Sequence, residues 1–175
     1  EERLAVDQDQ YLWMIRHKTA ALLATAMEMG AIVATDDRQA IGHLRDFGEN
    51  LGMAFQIQDD ILGIWGDEEV TGKSAATDIR DRKKTLPVVY ALRNYEDRDA
   101  ARRIEELYTQ ADALDRAAIQ EVVGLLERIE AQQYAEDTAR RYYLQALEHL
   151  DHTGPQSETK GQLRELAASL LGRET

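Results

Sequence analysis

Residues 52–66, Gly52-Met53-Ala54-Phe55-Gln56-Ile57-Gln58-Asp59-Asp60-Ile61-Leu62-Gly63-Ile64-Trp65-Gly66, read as a buried helix that nevertheless carries two adjacent acids. An ionised carboxylate persists on an apolar helix face where a basic side chain or a bound cation sits opposite it. The next segment supplies candidates. Thr71-Gly72-Lys73-Ser74, and then Asp78-Ile79-Arg80-Asp81-Arg82-Lys83-Lys84-Thr85-Leu86-Pro87, form a polar stretch that alternates acids with Lys and Arg before a new apolar run. Acids able to hold a hard cation, beside lysines able to hold an anion, describe a site for a Mg-bound diphosphate.

Around this run, apolar residues recur at helical spacing almost throughout, and no segment shows β-branched alternation between hairpin turns, so the expected fold is all α. The periodicity places helices at about 8–34, 37–65, 86–94, 97–111, 115–129, 131–151 and 157–171. Thr35-Asp36-Asp37 offers a cap for the second helix and Thr85 one for the third, where Pro87 in the first turn gives up an N–H that has no helical partner. Asp97 and Asp115 read as later caps. Gly48 and Gly52 lie one turn apart on one face, where they allow another helix to approach closely. The break at Gly154-Pro155 sets off a last helix whose stripe Leu163, Leu166 and Leu170 needs a docking surface.

With 175 residues, 43% of them hydrophobic, the chain reads as a single helical domain over residues 1–175 with enough apolar content for a core. Zero cysteines exclude a disulfide framework and a thiolate metal site, and suit a cytoplasmic protein. No apolar run is long enough to span a bilayer. A net charge of −12 argues against nonspecific nucleic-acid binding, while the basic cluster from Arg80 to Lys84 suits a small anion. Thr71-Gly72-Lys73-Ser74 evokes a nucleotide-binding P-loop, but Asp67 stands where its first Gly belongs and no strand precedes it. His149 and His152 can share a helix face; without acids nearby they read as surface residues.

The order FQ-x-x-DD, GD-x-x-x-TGK, D-x-x-x-x-KKT-LP resembles the second aspartate-rich region of the trans-isoprenyl diphosphate synthases, the polyprenyl synthetase family. Tyr11-Leu12-Trp13-Met14-Ile15-Arg16-His17-Lys18-Thr19-Ala20 resembles that family's Lys-Thr helix. The specific motifs cover about residues 5–95. The resemblance implies part of an antiparallel helical bundle and a prenyltransferase that condenses isopentenyl diphosphate with an allylic diphosphate. It also implies a Mg2+ cofactor and a homodimer in the full-length form. It assigns Asp59, Asp60 and Asp78 to the metal and Lys18, Lys73 and Lys83 to the diphosphate, with hydrogen bonds from Thr19 and Gln56. Asp59, Asp60 and Lys18 are the catalytic candidates.

The family's earlier DD-x-x-D motif, with its Arg pair, does not occur before residue 11, and the opening Glu1-Glu2-Arg3-Leu4 has no initiator Met. The chain therefore reads as the C-terminal half of an enzyme, inactive by itself. Gly63 also departs from the pattern, standing where DD-x-x-D would place an acid; Asp67 or Asp78 could serve instead, and Gly63→Asp is expected to be tolerated. Lys160, beyond the Gly154-Pro155 break, reads as a solvated lysine. Asp59 shares its face with Phe55 and Gln56, whereas Asp60 is rotated by roughly 100 degrees, which makes Asp59 the first choice as direct ligand. Two alternatives remain from the residues: a terpene cyclase on the same fold, and a noncatalytic helical subunit of a synthase.

Overall fold

The computed structural model describes residues 7–66, 76–93 and 97–172. Among these residues every regular element is helical, as the periodicity requires: α1 (Gln8–Ile15), a π-helical turn (Arg16–Ala20), α2 (Ala21–Ala34), α3 (Arg38–Trp65), α4 (Thr77–Arg80), α5 (Leu86–Leu92), α6 (Arg98–Thr109), α7 (Arg116–Arg128), α8 (Ala131–Asp151) and α9 (Glu158–Leu171). None of these helices is long and apolar enough to cross a membrane. The chain divides into two compact units, the first formed by Glu1–Tyr11, Asp59–Glu136 and Glu174–Thr175, the second by Leu12–Gln58 and Asp137–Arg173.

The first unit is built on α5, α6 and α7. Ile64, Ile79, Val88, Ala91, Ala100, Ile104, Leu107, Val122 and Leu126 are all buried in one cluster. Each fully buried Ile or Leu contributes about 1.5–3 kcal/mol from removed apolar surface. The start of α6 is capped by Asp97, whose carboxylate accepts from Ala100 N–H at 3.0 Å, and α7 is capped by Asp115 accepting from Ala118 N–H at 2.8 Å. Both caps are the ones the sequence marks. Arg128 pairs with Asp97 at 2.6 Å, which holds the end of α7 against the start of α6.

Thr85 occupies the cap position of α5 but makes no side-chain cap. Its hydroxyl is buried without a hydrogen-bond partner among the described residues. The Asp60 carboxylate accepts from the free Leu86 N–H instead, at 3.1 Å. A negative charge at a helix N-terminus is favourable, so the acid does for α5 what the threonine was expected to do.

In the second unit Phe47, Leu51, Ala146, Leu150 and Ala167 form the buried centre, with Leu23, Met27, Leu44, Tyr143, Leu163 and Leu170 packed around it. The last helix docks here through Leu163 and Leu170; Leu166 remains half exposed, and buried Ala167 takes the central place the stripe assigned to it. Lys160 corrects a second expectation. It is 6% exposed, and its ammonium donates to the carbonyls of Asp151 at 3.2 Å and Gly154 at 2.7 Å. The end of α8 has carbonyls with no helical partner, and a cation there satisfies them. Lys160 is a structural clamp and cannot serve as an inert control.

Gly48 and Gly52 do what their spacing suggests. A Cβ on Gly48 would fall 2.6 Å from the Leu23 carbonyl oxygen, and one on Gly52 would fall 2.6 Å from the Ala20 Cα. The backbones of α2 and α3 approach so closely that no side chain fits between them. This closeness offsets the propensity cost of glycine within α3.

Candidate diphosphate and metal site

The long first helix expected over 8–34 is interrupted where the chemistry is expected. Residues Arg16–Ala20, which include Lys18 and Thr19, form a π turn between α1 and α2. A π turn adds a residue to the helical repeat and shifts the phase of the helix beyond it; such insertions recur at functional sites. In this turn Thr19 Oγ1 donates to Gln56 Oε1 at 2.7 Å, while Lys18 is exposed. Arg16 pairs with Glu49 at 3.1 Å. Two of the motif residues of the second unit, Thr19 and Gln56, thus bind each other, and Lys18 is the exposed cation beside them.

In the first unit, the two adjacent acids divide according to the helical repeat. Met53, Ile57, Ile61 and Ile64 are buried, and Asp60 falls on their face at 1% exposure. Asp59, one position earlier, is half-buried. A buried carboxylate needs donors, and Asp60 has them. Tyr11 O–H donates to its Oδ2 at 2.5 Å, Leu86 N–H to the same oxygen at 3.1 Å, and the Lys83 ammonium lies 3.2 Å from Oδ1. Tyr11 is itself 2% exposed.

Lys83 also donates to Asp78 Oδ2 at 2.8 Å. The local backbone brings the two together. Ala76 and Arg82, on either side of α4, both adopt left-handed φ values of 55° and 51°, and the Lys83 N–H closes the turn on the Asp78 carbonyl at 2.8 Å. Left-handed backbone is costly for residues other than Gly, so packing must hold these two positions. Arg82 contributes by donating to the Asp112 carbonyl.

Gly63 explains its own departure from the family pattern. A Cβ at this position would fall 2.5 Å from the Asp78 carboxyl carbon. The acid missing from α3 leaves the space that the Asp78 carboxylate fills. Any side chain at position 63 must push the Asp78 carboxylate aside, so Gly63→Asp is tolerated only if Asp78 can move.

The electrostatics follow from this packing. Burial pushes the Asp60 carboxyl above its ordinary value, opposed by the Lys83 charge and by the Tyr11 and Leu86 hydrogen bonds. Burial, then the charge and hydrogen bond of Asp60, then the charges of Asp59 and Asp78, push the Tyr11 phenol well up. Desolvation works against the Lys83 charge, but Asp60 and Asp78 outweigh it and raise the ammonium. All three sequence-assigned acids therefore act on one phenol, with Lys83 joining two of them. Carboxylates, in a chain without a thiolate, are the donor type suited to Mg2+. Among the described residues no group of three acids or imidazoles is already closed around a metal-sized point.

Lys73 and Asp67 lie outside the described residues. Tyr11 and the Leu86 N–H were not anticipated. A tyrosine among apolar residues of α1 carries a hydroxyl that burial obliges to find a partner, and that was the available signal.

The polyprenyl synthetase family model matches residues 1–126. The chain is 34% identical to a (2E,6E)-farnesyl diphosphate synthase of Mycobacterium tuberculosis over 99% of its length and 49% of that protein. It is 38% identical to a short chain isoprenyl diphosphate synthase of Methanothermobacter thermautotrophicus, over 99% of this chain and 52% of the relative. Its fold is similar to a geranylgeranyl pyrophosphate synthase from Corynebacterium glutamicum crystallised with isoprenyl diphosphate and magnesium, with a TM-score of 0.84 at 30% identity, over 95% of this chain and 47% of that one. The chain spans about half the length of these relatives. With these motifs in order on an all-helical fold, the chain belongs to the polyprenyl synthetase family.

Proposed function

We propose that this protein is a Mg-dependent prenyltransferase that joins isopentenyl diphosphate to an allylic diphosphate, giving a longer prenyl diphosphate. The observation that carries the reading is the Asp60–Lys83–Asp78 network, in which the buried acid of the motif positions a lysine beside a second acid. The magnesium and isoprenyl diphosphate bound by the related C. glutamicum synthase support the same ligands here. The work is proposed for the protein with both acidic motifs, since these 175 residues carry one. A cytoplasmic homodimer is part of the proposal.

Asp59, half-buried on α3, is the direct metal ligand of this motif, and Asp78 assists it, directly or through water. When bound, Mg2+ supplies Lewis-acid stabilisation of the charge that develops on the diphosphate leaving group as the allylic C–O bond ionises. Lys83 and Lys18 neutralise diphosphate oxygens, and Lys73 is proposed for the same task. Asp60 acts through others: both of its oxygens are engaged, and its role is to fix Tyr11, the start of α5 and the Lys83 ammonium. The isopentenyl double bond then attacks the allylic cation, and transfer of a proton from the new cation to the departed diphosphate completes the step.

The test is a product assay on the full-length protein with labelled isopentenyl diphosphate, an allylic diphosphate and Mg2+. The expected product is a longer diphosphate. A hydrocarbon or alcohol would place the chemistry with terpene cyclisation, and no product with a soundly folded full-length protein would leave a noncatalytic subunit.

A further inference from the structure

Two of the chain's four histidines share the end of α8, and in the second unit α3 brings a third against them. His43 Nδ1 lies 3.3 Å from His149 Nδ1, although 106 residues separate them. The Asp46 carboxylate, one turn further along α3, lies 3.8 Å from that same His149 nitrogen. His152 stacks on His43, with ring centroids 5.1 Å apart and planes 25° apart. Its own Nδ1 lies 2.7 Å from the Glu148 carbonyl, a bond that requires the proton on that nitrogen. Sequence spacing shows His149 and His152 as a pair without an acid; the fold supplies both the acid and the third ring.

We propose that His43 Nδ1, His149 Nδ1 and Asp46 Oδ2 form a binding site for a transition-metal dication of the Zn2+ type, with water in the fourth position. Two imidazole nitrogens on one tetrahedral Zn2+, each about 2.0–2.1 Å from the metal, stand about 3.3–3.4 Å from each other. The His43–His149 separation already has that value. Asp46 lies 3.8 Å from His149 Nδ1 and, among the described residues, makes no ion pair with His43, so its side chain, 49% exposed, must swing inward to complete the set. Two of the three donors therefore already stand at the metal-binding separation, and the third reaches them only by a side-chain rotation. Nitrogen ligands favour Zn2+, Co2+ or Ni2+ over Mg2+, so this site is chemically distinct from the acid and lysine site of the first unit. His152 is a positioning residue: its bond to Glu148 fixes its ring, and the stacked ring sets the plane of His43. A metal here would tie α3 to α8 and stabilise the second unit, because binding to the folded state alone raises its stability.

The experiment uses the protein stripped with chelator and titrated with Co2+ and then Zn2+ in buffer containing excess Mg2+. Expected are visible Co2+ absorption bands of a tetrahedral nitrogen and oxygen site, one equivalent of Zn2+ bound, and a rise in Tm. His43→Ala and His149→Ala each weaken binding by about tenfold or more, and His152→Ala weakens it less. In the wild type, imidazole resonances of His43 and His149 shift on Zn2+ addition while those of His17, held at the Trp13 carbonyl, stay in place. That measurement reads the site even if a variant folds poorly. No Zn2+ binding in the presence of Mg2+, or equal affinity in wild type, His43→Ala and His149→Ala, would overturn the proposal and leave a plain His–His hydrogen bond.

Discussion

The middle and the C-terminal part of α3 hold their surroundings by opposite means. Toward its middle, Gly48 and Gly52 remove side chains so that α2 can press backbone against backbone. Toward its end, Asp60 adds a buried charge and recruits Tyr11, Leu86 and Lys83 to satisfy it. The first device relies on shape, and neither pH nor salt acts on it. The second relies on hydrogen bonds and charge, so it is costly to break and responds to protonation. Lys18 and Thr19 adjoin the glycine contact at Ala20, while Lys83 and Asp78 belong to the charged network. The residues proposed for diphosphate binding thus adjoin a rigid steric contact in one unit and a polar hub in the other.

The largest effect should come from breaking the polar hub. Asp60→Ala leaves the buried Tyr11 hydroxyl and the Leu86 N–H without their acceptor and should cost roughly 3 kcal/mol in urea unfolding. Lys83, 44% exposed, recovers water and contributes little to that loss. A cost below about 1 kcal/mol would mean that Asp60 is not the organising acid.

The steric end comes next. Gly52→Ala should destabilise by about 1–3 kcal/mol, because the new methyl meets the Ala20 backbone. Gly42→Ala, on the same helix with nothing within 4 Å, should instead stabilise by up to about 1 kcal/mol. Equal effects at the two glycines would show that propensity, and not close approach, governs α3.

Gly63→Ala sharpens the comparison, since here a missing side chain serves the polar hub. The methyl must displace the Asp78 carboxylate from Lys83 and should cost on the order of 1 kcal/mol, with a larger effect on Mg-dependent turnover than on Tm. Gly63→Asp should behave worse than Gly63→Ala; restored or improved turnover in Gly63→Asp would contradict the reading that Asp78 fills this space.

The smallest expected effect is the pH response. Burial raises the Asp60 carboxyl above its ordinary value of 3.8, so ionising it costs the folded state. Its contribution to stability is full below 3.8 and declines as pH rises through the raised folded value. Unfolding measured across the acidic range should show this decline in the wild type and lose it in Asp60→Asn. The Gly52→Ala protein should keep it.

Much of this was legible in the residues, for reasons that differ by element. Long periodic helices such as α3 and α8 were placed within a residue at each end, because a sustained apolar stripe is a strong local signal. The π turn at Arg16–Ala20 was not, since an inserted residue leaves composition unchanged and depends on packing around it. The short helix Thr77–Arg80 was hidden in a charged stretch with too little periodicity to mark it. The motif pointed to Asp59, Asp60, Asp78 and Lys83 as a group, and helical geometry put Asp59 first as ligand, but neither pointed to the buried partners of Asp60. Those partners, Tyr11 and Leu86, lie 49 and 26 residues away from Asp60. The burial of Lys160 escapes a sequence reading because it follows from the turn at Gly154 and not from its neighbours in sequence.

The central claim is that Asp59 serves the metal while Asp60 serves the scaffold. The most direct measurement is the Mg2+ dependence of turnover in full-length Asp59→Asn and Asp60→Asn, each paired with its Tm. The account predicts that Asp59→Asn keeps the wild-type Tm, needs more Mg2+ and loses on the order of a hundredfold in kcat. Asp60→Asn should lower Tm while keeping the wild-type Mg2+ midpoint. A shifted Mg2+ midpoint in Asp60→Asn, with Asp59→Asn unchanged, would contradict it.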